Sequence, residues 1–193
     1  MRSVWQGCGN GHADKGNSTL KLQVRWELKS GSIDGPHLCD GRLNDNRAIA
    51  VHPLVAQGCL TINDRGYWSI TRFAAEDANG ALWLSYVRQN TRIIVDGVDY
   101  GIADYLRTCA VDELDLPIKL GKDYRLPCRL LAMRVPDKLA QSRRRHIKHV
   151  AKNKGRTVSA KQLALCDWVV MVTNVPTNQL TVAEAVALIR VRW

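Results

Sequence analysis

A strict alternation of apolar and polar residues runs through Leu20-Lys21-Leu22-Gln23-Val24-Arg25-Trp26-Glu27-Leu28, the pattern of a half-buried strand. Lys29-Ser30-Gly31-Ser32 then turns the chain, and a shorter strand is expected near Ile33 to Cys39, interrupted by Gly35-Pro36. Residues 45–51 read as a short helix with Asn44 or Asp45 at its N-cap. Cys59-Leu60-Thr61-Ile62 is a compact buried strand, and Asp64-Arg65-Gly66-Tyr67 forms the loop at its C-terminal end. Ser69 caps a helix to about Ala78, Asn79-Gly80 stops it, and Ala81 to Val87 returns as a strand. Strand, loop, helix and strand make a βαβ unit, which places function at strand C-termini.

From Arg88 to Val135 the texture changes. Short β-like runs (Arg92 to Val95, Leu116 to Leu120, Arg129 to Val135) alternate with turns such as Asp96-Gly97 and Leu120-Gly121-Lys122-Asp123. Asp137 is expected to cap a basic helix to about Asn153, closed by Lys154-Gly155. Its apolar stripe of Leu139, Ala140, Ile147, Val150 and Ala151 breaks where Arg143 and Arg144 fall, so the helix docks in part and presents arginine broadly. Cys166 to Thr173 is an apolar central strand, broken by Asn174-Val175-Pro176. Thr181 and Glu184 form a capping box for a last helix that runs to the chain end at Trp193.

Composition changes this picture in one place. Residues 119–156 hold thirteen Lys or Arg against Asp123 and Asp137, a net of +11 within a chain of formal charge +10. The excess charge is therefore concentrated in one stretch, as in a surface that faces a polyanion. The six cysteines (Cys8, Cys39, Cys59, Cys109, Cys128, Cys166) contain no C-x-x-C pair, and only Cys8 and His12 stand close together. Free thiols in a reducing compartment are expected in place of a cysteine zinc site. No apolar run approaches the ~20 residues that span a bilayer, and the N-terminus lacks the apolar core of a secretion signal. A cytoplasmic, nucleoid-associated protein without a small-molecule substrate is the expectation.

Three stretches, in order, resemble the IS-four family of bacterial insertion-sequence transposases. They are Leu20 to Gly31, like the family's lysine-led hairpin strand; Asn63-Asp64-Arg65-Gly66-Tyr67-Trp68-Ser69, like its D-x-G-Y/F segment; and Val172-Thr173-Asn174-Val175-Pro176 followed by Leu180 to Ala185 and Arg190-Val191-Arg192-Trp193, like its T-N-x-P strand end and final helix. The resemblance implies an α/β, ribonuclease-H-like mixed sheet with flanking helices, interrupted by a β-rich insertion. On this reading residues 1–87 begin the catalytic domain, 88–160 form the insertion with its basic helix at about 137–154, and 161–193 return to the catalytic domain. The chain would be an interior fragment lacking the first strand and most of the last catalytic helix.

The resemblance further implies cleavage and strand transfer on DNA by two divalent ions, magnesium or alternatively manganese, held among three carboxylates. Asp64 takes the place of the second carboxylate, as catalytic residue and metal ligand. The upstream Asp14 lies in Gly11-His12-Ala13-Asp14-Lys15-Gly16, a glycine-flanked sequence that does not read as the expected strand. Arg192 matches the arginine of the family's C-terminal signature and is expected on a phosphate near the scissile bond. Ile189 departs from the signature's tyrosine, and the glutamate would fall beyond Trp193. The ions are thus expected only where the full triad exists, and this chain alone supplies one member.

Each assignment has a plainer alternative. Asp64 could cap the turn that follows it. The basic residues Arg143, Arg144, Arg145, Lys148, Lys152, Lys154 and Arg156, with Arg190 nearer the end, could contact phosphates or form a solvated face. His146 and His149 read as bystanders. Trp5, Trp26, Trp83 and Trp168 read as core, whereas Trp68 could be core or stack on a base. Two functions remain: a DNA transposase or its remnant, acting on transposon ends and target DNA as a homodimer, and a non-catalytic DNA-binding polypeptide that interferes with a full-length transposase.

Overall fold

The computed structural model describes residues 20–48 and 52–191. Its contacts divide the chain into two compact units, Met1–Pro53 and Leu54–Trp193.

The smaller unit is built on a two-stranded antiparallel hairpin, β1 (Leu20–Trp26) and β2 (Ile33–Asp40), followed by the single-turn helix α1 (Asp45–Ala48). Gly31, at φ +75, closes the connecting turn by donating to the Glu27 carbonyl at 2.8 Å, a backbone position that suits glycine. The alternation along β1 sets the faces opposite to the usual order. Gln23 is 2% exposed, whereas Leu22, Val24 and Trp26 are 58%, 56% and 60% exposed. Lys21 is held by the Leu43 carbonyl and by Asp45 Oδ1 at 2.7 Å, and Arg25 donates to the Pro53 carbonyl at 2.8 Å. Trp26 is therefore a surface residue and not the core residue its apolarity suggests. Trp5 lies outside the described residues.

The larger unit is a seven-stranded mixed sheet in the order β3-β4-β9-β8-β7-β5-β6. Its strands are β3 (Leu60–Asn63), β4 (Leu82–Tyr86), β5 (Arg92–Val95), β6 (Val98–Gly101), β7 (Glu113–Leu120), β8 (Leu126–Arg134) and β9 (Trp168–Thr173). Among the described strands only β3 and β4 pair in parallel; the other neighbours are antiparallel. Helices α2 (Ile70–Ala78), α3 (Ile102–Thr108), α4 (Asp137–Asn153), α5 (Ala160–Ala164) and α6 (Val182–Arg190) accompany it. A mixed sheet flanked by helices is the expected ribonuclease-H-like class. Strands β5 to β8, within the segment expected as an insertion, belong to the same sheet as β3, β4 and β9. No described helix is long and apolar enough to cross a membrane.

Strand β9 explains the sheet's centre. Trp168, Val170 and Val172 enter one apolar cluster while Val169 and Met171 enter another, so the run is buried on both faces. In the first cluster Phe73 of α2 stacks on Trp83 of β4 at 4.6 Å, and Trp68, 7% exposed, meets Phe73 edge-on at 5.4 Å. Trp68 is thus core, and its base-stacking alternative falls away. The second cluster receives Val182, Ala185, Val186 and Ile189, a single stripe of α6 at helical spacing. That helix starts at the expected capping box, with Glu184 N–H donating to Thr181 Oγ1 and Glu184 Oε2 accepting from Thr181 N–H.

The Thr173-Asn174-Val175-Pro176 segment is a clamp. Thr173 Oγ1 donates to the Trp83 carbonyl at 2.6 Å and accepts from Val175 N–H at 3.1 Å. Asn174 Oδ1 accepts from Trp83 N–H at 2.8 Å, and its Nδ2 donates to the Ala81 carbonyl and to Asp77 Oδ1, each at 2.9 Å. One asparagine thereby joins the end of β9 to the start of β4 and the end of α2. Helices α3 and α5 were not expected; at seven and five residues each is too short to display a helical period. Helix α4 covers its expected range, but Asp137 sits in the first turn, after Pro136, and supplies no side-chain cap.

Candidate active-site cavity and basic helix

The parallel pairing of β3 and β4 decides where chemistry gathers. Asn63 is in register with Ser85, so the residues after both strands emerge at one end of the sheet. Strand β3 is fixed there by polar contacts to α2: Thr61 Oγ1 donates to Glu76 Oε2 at 3.0 Å, and Arg72 Nε donates to Glu76 Oε1 at 2.9 Å. Glu76 is 1% exposed, and these partners satisfy a carboxylate that burial would otherwise penalise.

Asp64 follows β3 and begins a short 3-10 turn through Tyr67. Its Oδ1 accepts from Gly66 N–H at 2.5 Å and from Tyr67 N–H at 3.4 Å. The capping alternative therefore describes a real contact, and it also fixes the carboxylate's direction. Capping and metal ligation are compatible, since a carboxylate offers about four lone-pair sites.

Asp64 lines a cavity of about 570 Å³ together with Arg65, Arg88, Arg143, Tyr86 and Trp168. Arg88 follows β4 and donates through Nε to the Arg65 carbonyl at 3.0 Å. The Arg65 guanidinium lies over the Tyr86 ring, 5.6 Å from its centroid. Arg143 reaches in from α4 and donates to the Trp168 carbonyl at 3.0 Å. Burial lowers the Arg143 pKa from its ordinary value, which is high enough that the group stays cationic at neutral pH. Burial likewise raises the pKa of the neighbouring Cys166 thiol, which favours its neutral form. Three arginines and one carboxylate thus line this cavity.

Of the described basic residues read from sequence, only Arg143 joins Asp64 in this cavity. Arg144 pairs with Asp167. Arg145, Lys148, Lys152, Lys154 and Arg156 are exposed on and just after α4, and Arg190 is exposed at the end of α6. Arg192 and Asp14 lie outside the described residues. His146 and His149 are exposed, and His149 Nε2 lies 3.1 Å from Asn153 Nδ2. Arg65 and Arg88 were not singled out by the sequence pattern. Their signal was positional: each follows the C-terminal end of one of two parallel strands.

The chain is 22% identical over 216 residues to the transposase for insertion sequence element IS231E of Bacillus thuringiensis subsp. finitimus, covering 100% of the chain and 44% of that relative. It is 24% identical over 216 residues to the IS231B transposase of subsp. berliner, with the same coverage of each. It is 24% identical over 194 residues to the IS231F transposase of subsp. israelensis, covering 90% of the chain and 41% of that relative. The chain thus spans less than half the length of the curated relatives it matches. No solved structure matches. Residues 2–193 match the transposase DDE domain, and the chain belongs to that family.

Proposed function

We propose that this chain forms part of the catalytic core of an insertion-sequence transposase of the IS-four type, which cuts DNA at element ends and joins it to target DNA. The observation that carries the reading is the placement of Asp64 beside Arg65, Arg88 and Arg143 in one cavity at the β3 and β4 ends. The guanidiniums hold a phosphodiester and neutralise charge as it develops on the transferring group. The exposed side chains Arg145, Lys148, Lys152, Lys154 and Arg156 contact flanking phosphates and position the duplex without reading its sequence. Arg190 and Arg192 act likewise near the scissile bond.

The divalent ions of the family set a condition on this reading. Asp64 is the single acid among the described residues lining the cavity, and one carboxylate does not hold two ions. Nothing in the cavity as described therefore supports a step through metal. Magnesium, or manganese in its place, belongs to the active assembly only where two further carboxylates join Asp64.

The single acid also favours a second reading, a non-catalytic DNA-binding polypeptide that interferes with a full-length transposase. Nicking of DNA carrying the element's ends, by the complete gene product with magnesium or manganese, separates the two. Catalysis requires that nicking fall to background in Asp64→Ala. Absence of nicking with retained DNA binding selects the binding polypeptide, and nicking that survives Asp64→Ala removes Asp64 from the chemistry.

A further inference from the structure

The smaller unit contains a cluster, running from the buried His52 to the exposed Asp34, that neither the transposase reading nor the cavity uses. Asp34 lies on β2, His37 three residues further along it, and His52 returns to the same place after α1. Asp34 Oδ1 is 3.4 Å from His37 Nε2, and Asp34 Oδ2 is 3.5 Å from His52 Nδ1. One ligand atom from each of the three residues lies within 4.8 Å of the others, and the imidazole rings meet edge-on at 4.6 Å.

These separations have a chemical meaning. They exceed the 2.7–3.2 Å of a good N–H···O hydrogen bond, yet two ligands ~2.1 Å from one tetrahedral ion stand ~3.4 Å apart. His37 Nε2 is shielded from solvent and has no hydrogen-bond partner among the described residues, and His52 is 5% exposed. Two imidazole nitrogens and one carboxylate make a borderline donor set, which suits zinc and neighbouring transition ions better than magnesium. We propose that Asp34, His37 and His52 form a transition-metal site, zinc being the expected ion, with water completing the coordination.

The rest of the unit supplies a reason for such a site. Its buried residues include Gln23 and His52, with Cys39 and Ala48 as the buried apolar side chains among those described, while much of the hairpin's apolar surface is exposed. Small units with little apolar core commonly need a staple, and a metal can supply it. The competing cation is Arg25, whose guanidinium comes within 3.9 Å of Asp34 Oδ2 while also donating to the Pro53 carbonyl. The absence of paired cysteines does not bear on a site made of histidine and aspartate. Nor does the site depend on Asp64, so its failure and that of the transposase reading are separable.

The test is titration of the purified, chelator-stripped full chain with zinc alone, against a chromophoric competitor. One ion per chain is expected at micromolar affinity or tighter. Asp34→Asn and His37→Gln should each weaken binding at least ~10-fold, a loss typical of disturbed metal sites. The His146→Ala, His149→Ala double variant and Asp64→Ala should leave it unchanged. His37 is partly exposed, so His37→Gln is the informative variant should His52→Ala fail to fold; its far-UV spectrum should match the metal-free parent. Cobalt substitution should give visible bands without thiolate charge transfer. Zinc binding equal in parent, Asp34→Asn and His37→Gln would overturn the site, as would a thiolate band or the absence of micromolar binding.

Discussion

Strand β9 of the larger unit buries all six of its side chains, five of them apolar, between two clusters. Strand β1 of the smaller unit also has a regular pattern, but it turns Lys21, Gln23 and Arg25 inward and leaves Leu22, Val24 and Trp26 exposed. The contrast separates two meanings of an apolar pattern. Burial on both faces in β9 converts apolar area directly into stability. Period-two alternation in β1 specifies that a strand forms, and leaves open which face turns inward. In β1 the choice follows the partners available to the polar face: Leu43, Asp45 and the Pro53 carbonyl.

The largest expected effect tests this contrast directly. Leu84→Ala, at a fully buried position of β4, should destabilise the larger unit by about 2–5 kcal/mol. Leu22→Ala, 58% exposed, should change stability by less than about 0.5 kcal/mol. Denaturant unfolding of both variants measures the difference. Equal losses would mean that the apolar face of the hairpin is covered in solution.

Asn174→Ala should come next. It removes the acceptor for Trp83 N–H and the donor to the Ala81 carbonyl, so a loss of about 2–3 kcal/mol is expected. DNA affinity of the folded variant should be unchanged, which would mark the T-N-x-P segment as structural. A variant of full stability would show that the clamp carries little energy.

Within α4 the same contrast appears between basic residues. Arg144, paired with Asp167, is held by the protein, whereas Arg145, Lys148 and Lys152 are exposed. Replacing those three by alanine should reduce the salt slope of DNA binding by about 0.9 for each phosphate that is no longer neutralised. Arg144→Ala should alter the slope less. Anisotropy titrations at several salt concentrations provide the comparison, and an unchanged slope in the triple variant would assign these residues to a solvated face.

The smallest effect belongs to the α6 cap. The backbone and hydroxyl contacts from Thr181 hold the Glu184 pKa below its ordinary value. The stabilisation is therefore fully present above the ordinary carboxyl pKa and is lost as pH falls through the lowered folded value. Glu184→Gln should lessen the acid sensitivity of unfolding slightly; an unaltered pH profile would show that the box is energetically silent.

Much of the fold was legible because local chemistry and burial agree. Ser69 with Asn79-Gly80, Thr181 with Glu184, and the apolar run of β9 each name their own element. Helices α3 and α5 were hidden by brevity. The continuity of β5 to β8 with β9 was hidden because sheet order depends on pairing between distant residues. Asp64 was legible from its motif, but Arg65 and Arg88 needed the parallel register of β3 and β4 to bring them together. The Asp34, His37 and His52 cluster was invisible to cysteine counting, since its ligands are histidine and aspartate and converge only in the folded unit.

On the proposed function DNA enters the cavity beside Asp64, whereas on the alternative reading it rests on the basic helix alone. Amide hydrogen exchange of the chain with and without duplex DNA distinguishes these directly. Protection is expected at residues 64–67 and 87–89 as well as along 145–156. Protection confined to 145–156, with none at 64–67, would contradict the assignment of the cavity to the DNA phosphodiester.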